Sequence, residues 1–156
     1  MPQYPLFVGT RDVVFGNGFV AEVSTLGRAL FDDSDGEFWL YGVNPGGLAG
    51  NGDCLSAANL DYQKGLTGVL FDLAADTSGF EEFKEVVRQF FQDTNAYREQ
   101  EWLAAVKDVR DGSKDLSLEK TDASTTPTIV IENKTENFTA ADNQLAEPLP
   151  ALAAAA

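Results

Sequence analysis

Carboxylates are the only abundant side chains in this sequence that could carry chemistry. The 156 residues include 25 Asp and Glu and no His. The absence of His excludes an imidazole general base, a Ser-His or Cys-His nucleophile pair and a His-ligated metal. The single cysteine, Cys54, cannot form an internal disulfide or a Cys-rich zinc site. What remains is carboxylate chemistry, through a metal-binding set or an acid/base pair, or lysine-based chemistry.

One acidic group has the composition of a calcium-binding loop. It consists of Asp32, Asp33, Asp35 and Glu37. The group lacks the bidentate Glu at the twelfth loop position and lies between two strand-like runs, so a solvated hairpin turn is favoured. We therefore assign no catalytic, cofactor-binding or metal-binding residue and expect no cofactor. The nominal candidates for a carboxylate site are Asp32, Asp33, Asp61 and Asp72.

The glycine-rich segment 42–52 leads into a predicted helix, which is the arrangement of a phosphate cradle. The Lys and Thr of a P-loop are absent, and Asp53 would repel phosphate. Cys54 at the start of that helix has no basic neighbour in sequence and no resolving cysteine. We therefore predict that it is a buried or helix-capping residue rather than a reactive thiol.

The formal net charge of −14 restricts the classes of partner. Nucleic acids and anionic membranes are bound by cationic side chains, so we expect neither direct nucleic-acid binding nor membrane binding. A basic protein is the complementary partner, and the alternative is that the acidity only keeps the chain soluble. Residues 1–5 lack the basic and apolar regions of a signal peptide, and no window approaches the roughly 18 apolar residues of a membrane span. The expected location is the cytoplasm.

The region from Phe7 to Val43 has the pattern of short strands. Its apolar residues alternate or form short groups. Turn residues separate these groups at 16–18 and 32–36, where Gly accepts positive φ and Asn or Asp tolerates it. After the break at 44–47, a short extended piece is expected at 48–50. The pattern predicts an antiparallel β-meander.

The pattern becomes helical at Leu55. Apolar residues then recur at intervals of three and four, interrupted by Gly65 and Gly68, which either permit close packing against the sheet or mark a kink. The first predicted helix takes its apolar face from Leu55, Ala58, Tyr62, Leu66, Val69, Leu70 and Leu73.

Two more helices are predicted. Ser78 and Glu81 have the spacing of a capping box, so a second helix should begin just before Phe80. A third helix is expected over about 95–109, with a stop at 111–112. The fold class is therefore α+β, an antiparallel meander packed against two or three helices.

The chain is expected to contain one α+β domain, residues 1–112, followed by an extension over 113–156. The extension is polar and acidic, a composition that is typical of a linker. One short strand is predicted at 128–132 from its β-branched content, and the Ala/Pro tail at 149–156 is expected to be disordered.

The stretch from Gly36 to Ala58 resembles the core of HicB-like antitoxin domains. It contains a glycine turn, an aromatic-rich strand, a Pro-Gly turn, a brief strand and a Gly-Asp helix cap followed by Ala. The turn at 44–47 is shorter than the family's, and Cys54 replaces the capping hydroxyl residue. The resemblance covers about residues 29–73, and the HicB-like core would extend over about 29–91.

This resemblance implies a degraded ribonuclease-H-like βββαβ arrangement without catalytic carboxylates. Such a domain would oligomerise and sequester a small basic RNA-cleaving toxin. No helix-turn-helix or ribbon-helix-helix segment is evident, so we do not expect this chain to bind operator DNA as members of that family do.

The expected function is that of a non-catalytic protein-binding domain that forms a homo-oligomer and uses the meander edge or the acidic face. One alternative is a carboxylate-dependent metal-binding or hydrolytic domain. The other is a self-assembling structural protein that pairs its strand at 128–132 with a neighbour's sheet edge.

Overall fold

A seven-stranded, mostly antiparallel sheet forms the centre of the computed structural model, which describes residues 3–34, 36–112, 118–136 and 152–156. The α+β class is confirmed. The strands are β1 Gln3–Phe15, β2 Val20–Ser34, β3 Glu37–Asn44, β4 Ala49–Gly52, β5 Lys120–Thr121, β6 Thr128–Asn133 and β7 Leu152–Ala155. The helices are α1 Leu55–Asp76, α2 Phe80–Gln92 and α3 Ala96–Arg110.

Strands β1 to β4 form the predicted antiparallel meander. Strand β1 pairs with β2 along its whole length, from Gln3 opposite Asp32 to Phe15 opposite Val20. Strand β3 pairs with β2 and with β4. The turn before β2 contains Gly18 at a positive φ of 79°, as its Asn-Gly sequence predicts.

Strand β2 has three partner strands, because β1 occupies one of its edges and both β6 and β3 pair with the other. Strand β6 pairs with its first part, residues 21–26, and β3 pairs with its second part, residues 28–34. A register shift between Arg28 and Ala29 separates the two regions. The sheet order is β4-β3-β2-β1-β7-β5, and β6 pairs with β2 outside this path.

Helices cover both faces of the sheet, because successive side chains of a strand point to opposite faces. On one face, Leu6, Val8, Phe31 and other strand residues form a core with α1 and α2. On the opposite face, Phe7 and Leu30 form a smaller core with α3. The helical members of the larger core are Ala58, Tyr62, Leu66, Leu70, Ala74, Phe83 and Val87, and those of the smaller core are Trp102, Ala105 and Val106.

Residues 152–155 lie within the sheet. The predicted disorder of 149–156 is wrong for residues 152–155, which form β7 between β1 and β5. Ala154 and Ala155 are buried, and Ala155 belongs to the core under α3, where only a small side chain is needed. A strand is present at Thr128–Asn133, where one was predicted at 128–132, and β5 lies within the expected linker. Residues 113–117 and 149–151 lie outside the described residues.

All three predicted helices are confirmed, but the predicted cap of α2 is wrong. Its N-cap residue is Gly79, which has no side chain, and the Ser78 hydroxyl instead donates to Glu82 at 2.9 Å. Helix α1 is capped by the Cys54 sulfur, which accepts from the backbone N–H of Ala57 at 3.4 Å. No helix among the described residues has the length and apolar character needed to cross a membrane.

Close packing of glycines occurs in the segment 42–52 and not in α1. Gly65 and Gly68 lie on the exposed side of α1, so the predicted close packing of these glycines against the sheet is wrong, and the alternative of a kink stays a prediction. A Cβ at Gly50 would lie 2.8 Å from Cα of Tyr62 and closer to the Tyr62 nitrogen. The glycine content of 42–52 thus allows β3 and β4 to approach neighbouring backbone.

Substitution of these glycines should have effects of opposite sign. Gly50→Ala is expected to lower the free energy of unfolding by about 2 kcal/mol, because the new methyl group forces β4 away from α1. Gly68→Ala, where a Cβ meets nothing within 4 Å, should raise it by about 1 kcal/mol through helix propensity. Urea unfolding measures both. An unchanged stability of Gly50→Ala would contradict the close approach.

Candidate functional site

The structure does not bring the nominal carboxylates together. Asp32 and Asp33 are successive residues of β2 and point to opposite faces of the sheet. Asp61 and Asp72 are exposed on α1, and Asp61 accepts the backbone N–H of Asn51 at 3.0 Å on the edge strand β4. Within 3–34, 36–112, 118–136 and 152–156 there is no group of three or more His, Cys, Asp or Glu placed to hold a metal ion. Asp35 lies outside these ranges.

The glycine-rich segment and Cys54 also have structural roles. Backbone of the segment's own turn fills the space beside Gly42, and backbone of the segment before α3 and of α1 fills the space beside Gly46 and Gly50, so no cradle for a phosphate is left there. Cys54 is exposed and caps α1, which confirms the capping alternative made from the sequence.

A different group of side chains converges where β2 and β3 run beside α3. Asp32 of β2 lies opposite Trp39 of β3, and Glu37, Trp39 and Tyr41 share one face of β3 because they alternate along it. Helix α3 contributes side chains from the same side. We call this group the aromatic–carboxylate face, and it consists of Asp32, Glu37, Trp39, Tyr41, Arg98 and Glu101.

Aromatic and cationic stacking organises this face. The rings of Trp39 and Tyr41 are nearly parallel, with centroids 5.6 Å apart and an interplanar angle of 6°. The guanidinium carbon of Arg98 lies 3.8 Å from the Tyr41 ring centroid. Arg98 also donates to Glu101 at 2.7 Å, which holds its guanidinium group over the ring. In the described part of the chain, no cationic side chain lies over Trp39.

The carboxylates of the face are held by neutral donors as well as by Arg98. Gln3 of β1 donates through one amide nitrogen to Asp32 at 3.2 Å and to Glu101 at 2.7 Å. The Ser34 hydroxyl donates to Asp32, which is only 8% exposed. Glu37 is exposed and accepts from the Trp39 indole at 3.4 Å. Three carboxylates against one guanidinium leave the face with a formal charge of −2.

Arg28 fixes the start of α3 against the sheet and thereby positions this face. It donates to Asn44 Oδ1 and to Glu99 Oε2, each at 2.6 Å, and lies 5.2 Å from the Trp102 ring centroid. The backbone N–H of Asn95 donates to the carbonyl of Val43 at 3.1 Å. These contacts join the start of α3 to β2 and β3. Arg98, which precedes Glu99 in α3, is therefore held close to β3.

Sequence reasoning missed this face, although part of it had a signal. Glu37, Trp39 and Tyr41 alternate within a predicted strand, which places them on one side of it. No sequence pattern indicated that Arg98 and Glu101 belong to this face, because their position depends on which face of the sheet α3 covers. Chemically, the face offers aromatic surface and carboxylate acceptors, which suit a cationic group.

No protein-family model, curated protein or solved structure gives a match to this chain. The HicB-like assignment therefore stays a prediction, and the functional argument depends on the geometry of the described residues.

A second polar group lies between the sheet and α1. Asp12 of β1 lies 2.8 Å from the Thr67 hydroxyl, and the buried hydroxyls of Thr10 and Thr25 form a hydrogen bond to each other across β1 and β2. Burial raises the pKa of Asp12 above its ordinary value of 3.8, and the hydrogen bond from Thr67 partly opposes this shift. This group has all its partners within the fold, so we assign it a structural role.

The raised pKa of Asp12 should make stability pH-dependent. The folded state binds this proton more tightly than the unfolded state, so the contribution of Asp12 falls as pH rises from about 3.8 through the folded pKa. Asp12→Asn keeps the acceptor for Thr67 and removes the titration. It should be more stable than the wild type at neutral pH, with the difference shrinking on acidification.

Thermal unfolding across pH measures this difference, and Asp72→Asn on the exposed side of α1 is the matched control. A variant Asp12→Asn that is less stable than the wild type at neutral pH would show that the ionised carboxylate stabilises the fold.

Proposed function

We propose that the protein is a non-catalytic binding domain that holds a basic protein partner on the aromatic–carboxylate face. The observation that supports this most strongly is the stack of Trp39, Tyr41 and Arg98 beside three carboxylates. The contact of Arg98 with Tyr41 within the chain shows the geometry that we propose for the contact between the partner and Trp39. A partner's Arg or Lys would occupy the corresponding position over Trp39.

The chemistry of such a contact has two parts. A cation over an aromatic ring contributes about 0.5–1 kcal/mol when exposed and about 2 kcal/mol when desolvated. Glu37 is exposed beside Trp39 and can accept a charge-assisted hydrogen bond from the same cation. Asp32 and Glu101 are already bonded to Gln3, so they would act mainly through their charge.

The charge of the whole chain supports the same class of partner. With a formal net charge of −14, the protein attracts a basic molecule over a distance and rejects acidic ones. This attraction is screened by salt, with a Debye length of about 8 Å at physiological ionic strength. Binding should therefore weaken as salt is added.

The HicB-like resemblance suggests one kind of basic partner. The stretch from Gly36 to Ala58 that carries it includes Glu37, Trp39 and Tyr41 of the face. We propose on this basis that the partner is a small basic RNA-cleaving toxin, which the protein would sequester.

A titration with an oligoarginine peptide tests the face directly. The chain has two Trp residues, and each gives one indole N–H signal in NMR. Trp39 is partly exposed, whereas Trp102 is 1% exposed and donates to the Leu6 carbonyl. The Trp39 signal should move during the titration while that of Trp102 stays in place. Trp39→Ala should weaken peptide binding by about tenfold.

Matched charge variants separate this face from the general acidity. Glu37→Gln and Glu81→Gln remove the same charge, but Glu81 lies in the first turn of α2 on the other side of the sheet. Only Glu37→Gln should weaken binding beyond the small effect of net charge. Equal effects of both variants, together with an unmoved Trp39 signal, would assign the acidity to solubility and overturn the proposal.

A further inference from the structure

Strand β6 has one unpaired edge in the described part of the chain. Its residues pair with β2 from Ala21 opposite Asn133 to Leu26 opposite Thr128, and they pair with no other described strand. An edge strand presents a row of backbone N–H and C=O groups to any strand that can reach it.

The hydrogen bonds at the end of β6 show which residues form that row. Lys134 donates its backbone N–H to the Val20 carbonyl at 2.8 Å, so these two residues form a hydrogen-bonded pair. Hydrogen-bonded and non-hydrogen-bonded pairs alternate in an antiparallel ladder. Thr128, Val130 and Glu132 therefore direct their backbone groups toward β2, and Ile129 and Ile131 direct theirs outward.

The side chains of this strand are self-complementary. Ile129 and Ile131 pack on the face with α1 and α2, while Val130 is 51% exposed on the other face. In an antiparallel pair of two β6 strands centred on Val130, this residue meets its own counterpart. Ile129 then meets Ile131 of the second copy, and Thr128 meets Glu132. No charged residue and no Pro interrupts the segment 129–131.

Within β6 and the part of β2 with which it pairs, the charged side chains are held in ion pairs of opposite sign. Arg11 pairs with Glu22 at 3.2 Å, and Lys134 pairs with Glu132 at 2.9 Å. A basic partner gains little from carboxylates that are already paired, whereas a second copy meets no unpaired carboxylate on these two strand segments. The pairing of these charges therefore favours an identical strand as the occupant.

We propose that a second copy of the chain pairs antiparallel with the outer edge of β6, across a two-fold axis at Val130. The two sheets then form one continuous sheet with an isologous contact. This contact uses a surface separate from the aromatic–carboxylate face and does not depend on the binding of a basic partner.

Molar mass in solution tests the proposal first. Sedimentation equilibrium of the full chain should give twice the monomer mass of 16.8 kDa at high protein concentration. Because two chains of −14 repel each other at long range, self-association should strengthen from low to physiological salt. Oligoarginine binding should instead weaken as salt is added, so the dimer and the binding of a basic partner can fail independently. A monomer at every concentration and salt would overturn the dimer.

Charge variants at Val130 test the geometry. Val130→Lys and Val130→Asp each place like charges opposite each other, and each should weaken self-association by about tenfold. Mixing the two variants should restore the dimer, because opposite charges then face each other across the axis. Leu60→Lys, at an equally exposed apolar residue of α1, is the matched control and should leave the mass unchanged.

Three further results would overturn the contact. They are an unchanged dimer in both Val130 variants, no recovery when the variants are mixed, and an equal loss of the dimer in Leu60→Lys. Circular dichroism of each variant establishes that it is folded, since Val130 is on the exposed face of β6.

Discussion

Strand β2 is the element on which the rest of the structure depends, because both of its edges are occupied and its residues 29–32 are buried on both faces. Its 15 residues extend over about 50 Å. One edge carries β1, and the other is divided between β6 and β3 at the register shift beside Arg28. Any slip of one residue along β2 would exchange its two faces, and over residues 20–28 this would move the buried set of side chains to the half-buried face. The register is therefore specified from both sides.

Arg28 links this central strand to the proposed binding surface. Its guanidinium group joins Asn44 at the end of β3 to Glu99 in the first turn of α3. The same helical turn carries Arg98, whose guanidinium lies over Tyr41. The Arg28–Glu99 ion pair is only partly buried, so it contributes little to stability and its main effect is to fix the position of α3 beside the sheet. The function proposed for the aromatic–carboxylate face thus depends on a structural contact just beneath it.

The distribution of charge gives the two proposed contacts different physical character. The aromatic–carboxylate face adds local negative charge to a chain that is already strongly acidic, so it suits a basic partner. The charged side chains of β6 and of the adjoining part of β2 are held in ion pairs with Arg11 and Lys134. One contact depends on attraction between opposite charges and the other on backbone pairing between apolar strands, which is why salt should affect them in opposite directions.

The sequence by itself determined the elements whose pattern is local. Alternation from Phe7 to Val43 identified the meander, and spacings of three and four identified α1, α2 and α3, because these periods follow from backbone geometry. The absence of His and the charge of −14 limited the chemistry before any fold was known.

Only the tertiary structure decided the contacts between residues distant in sequence. The tail at 152–155 has no strand pattern of its own, and it is ordered because β1, β5 and the core under α3 accept small Ala side chains. The glycines of 42–52 resemble a phosphate loop locally, but backbone from α1, from the segment before α3 and from the turn within the segment fills their space. Arg98 reaches Tyr41 because α3 packs on that face of the sheet, a choice that depends on the packing of the whole chain and not on local pattern.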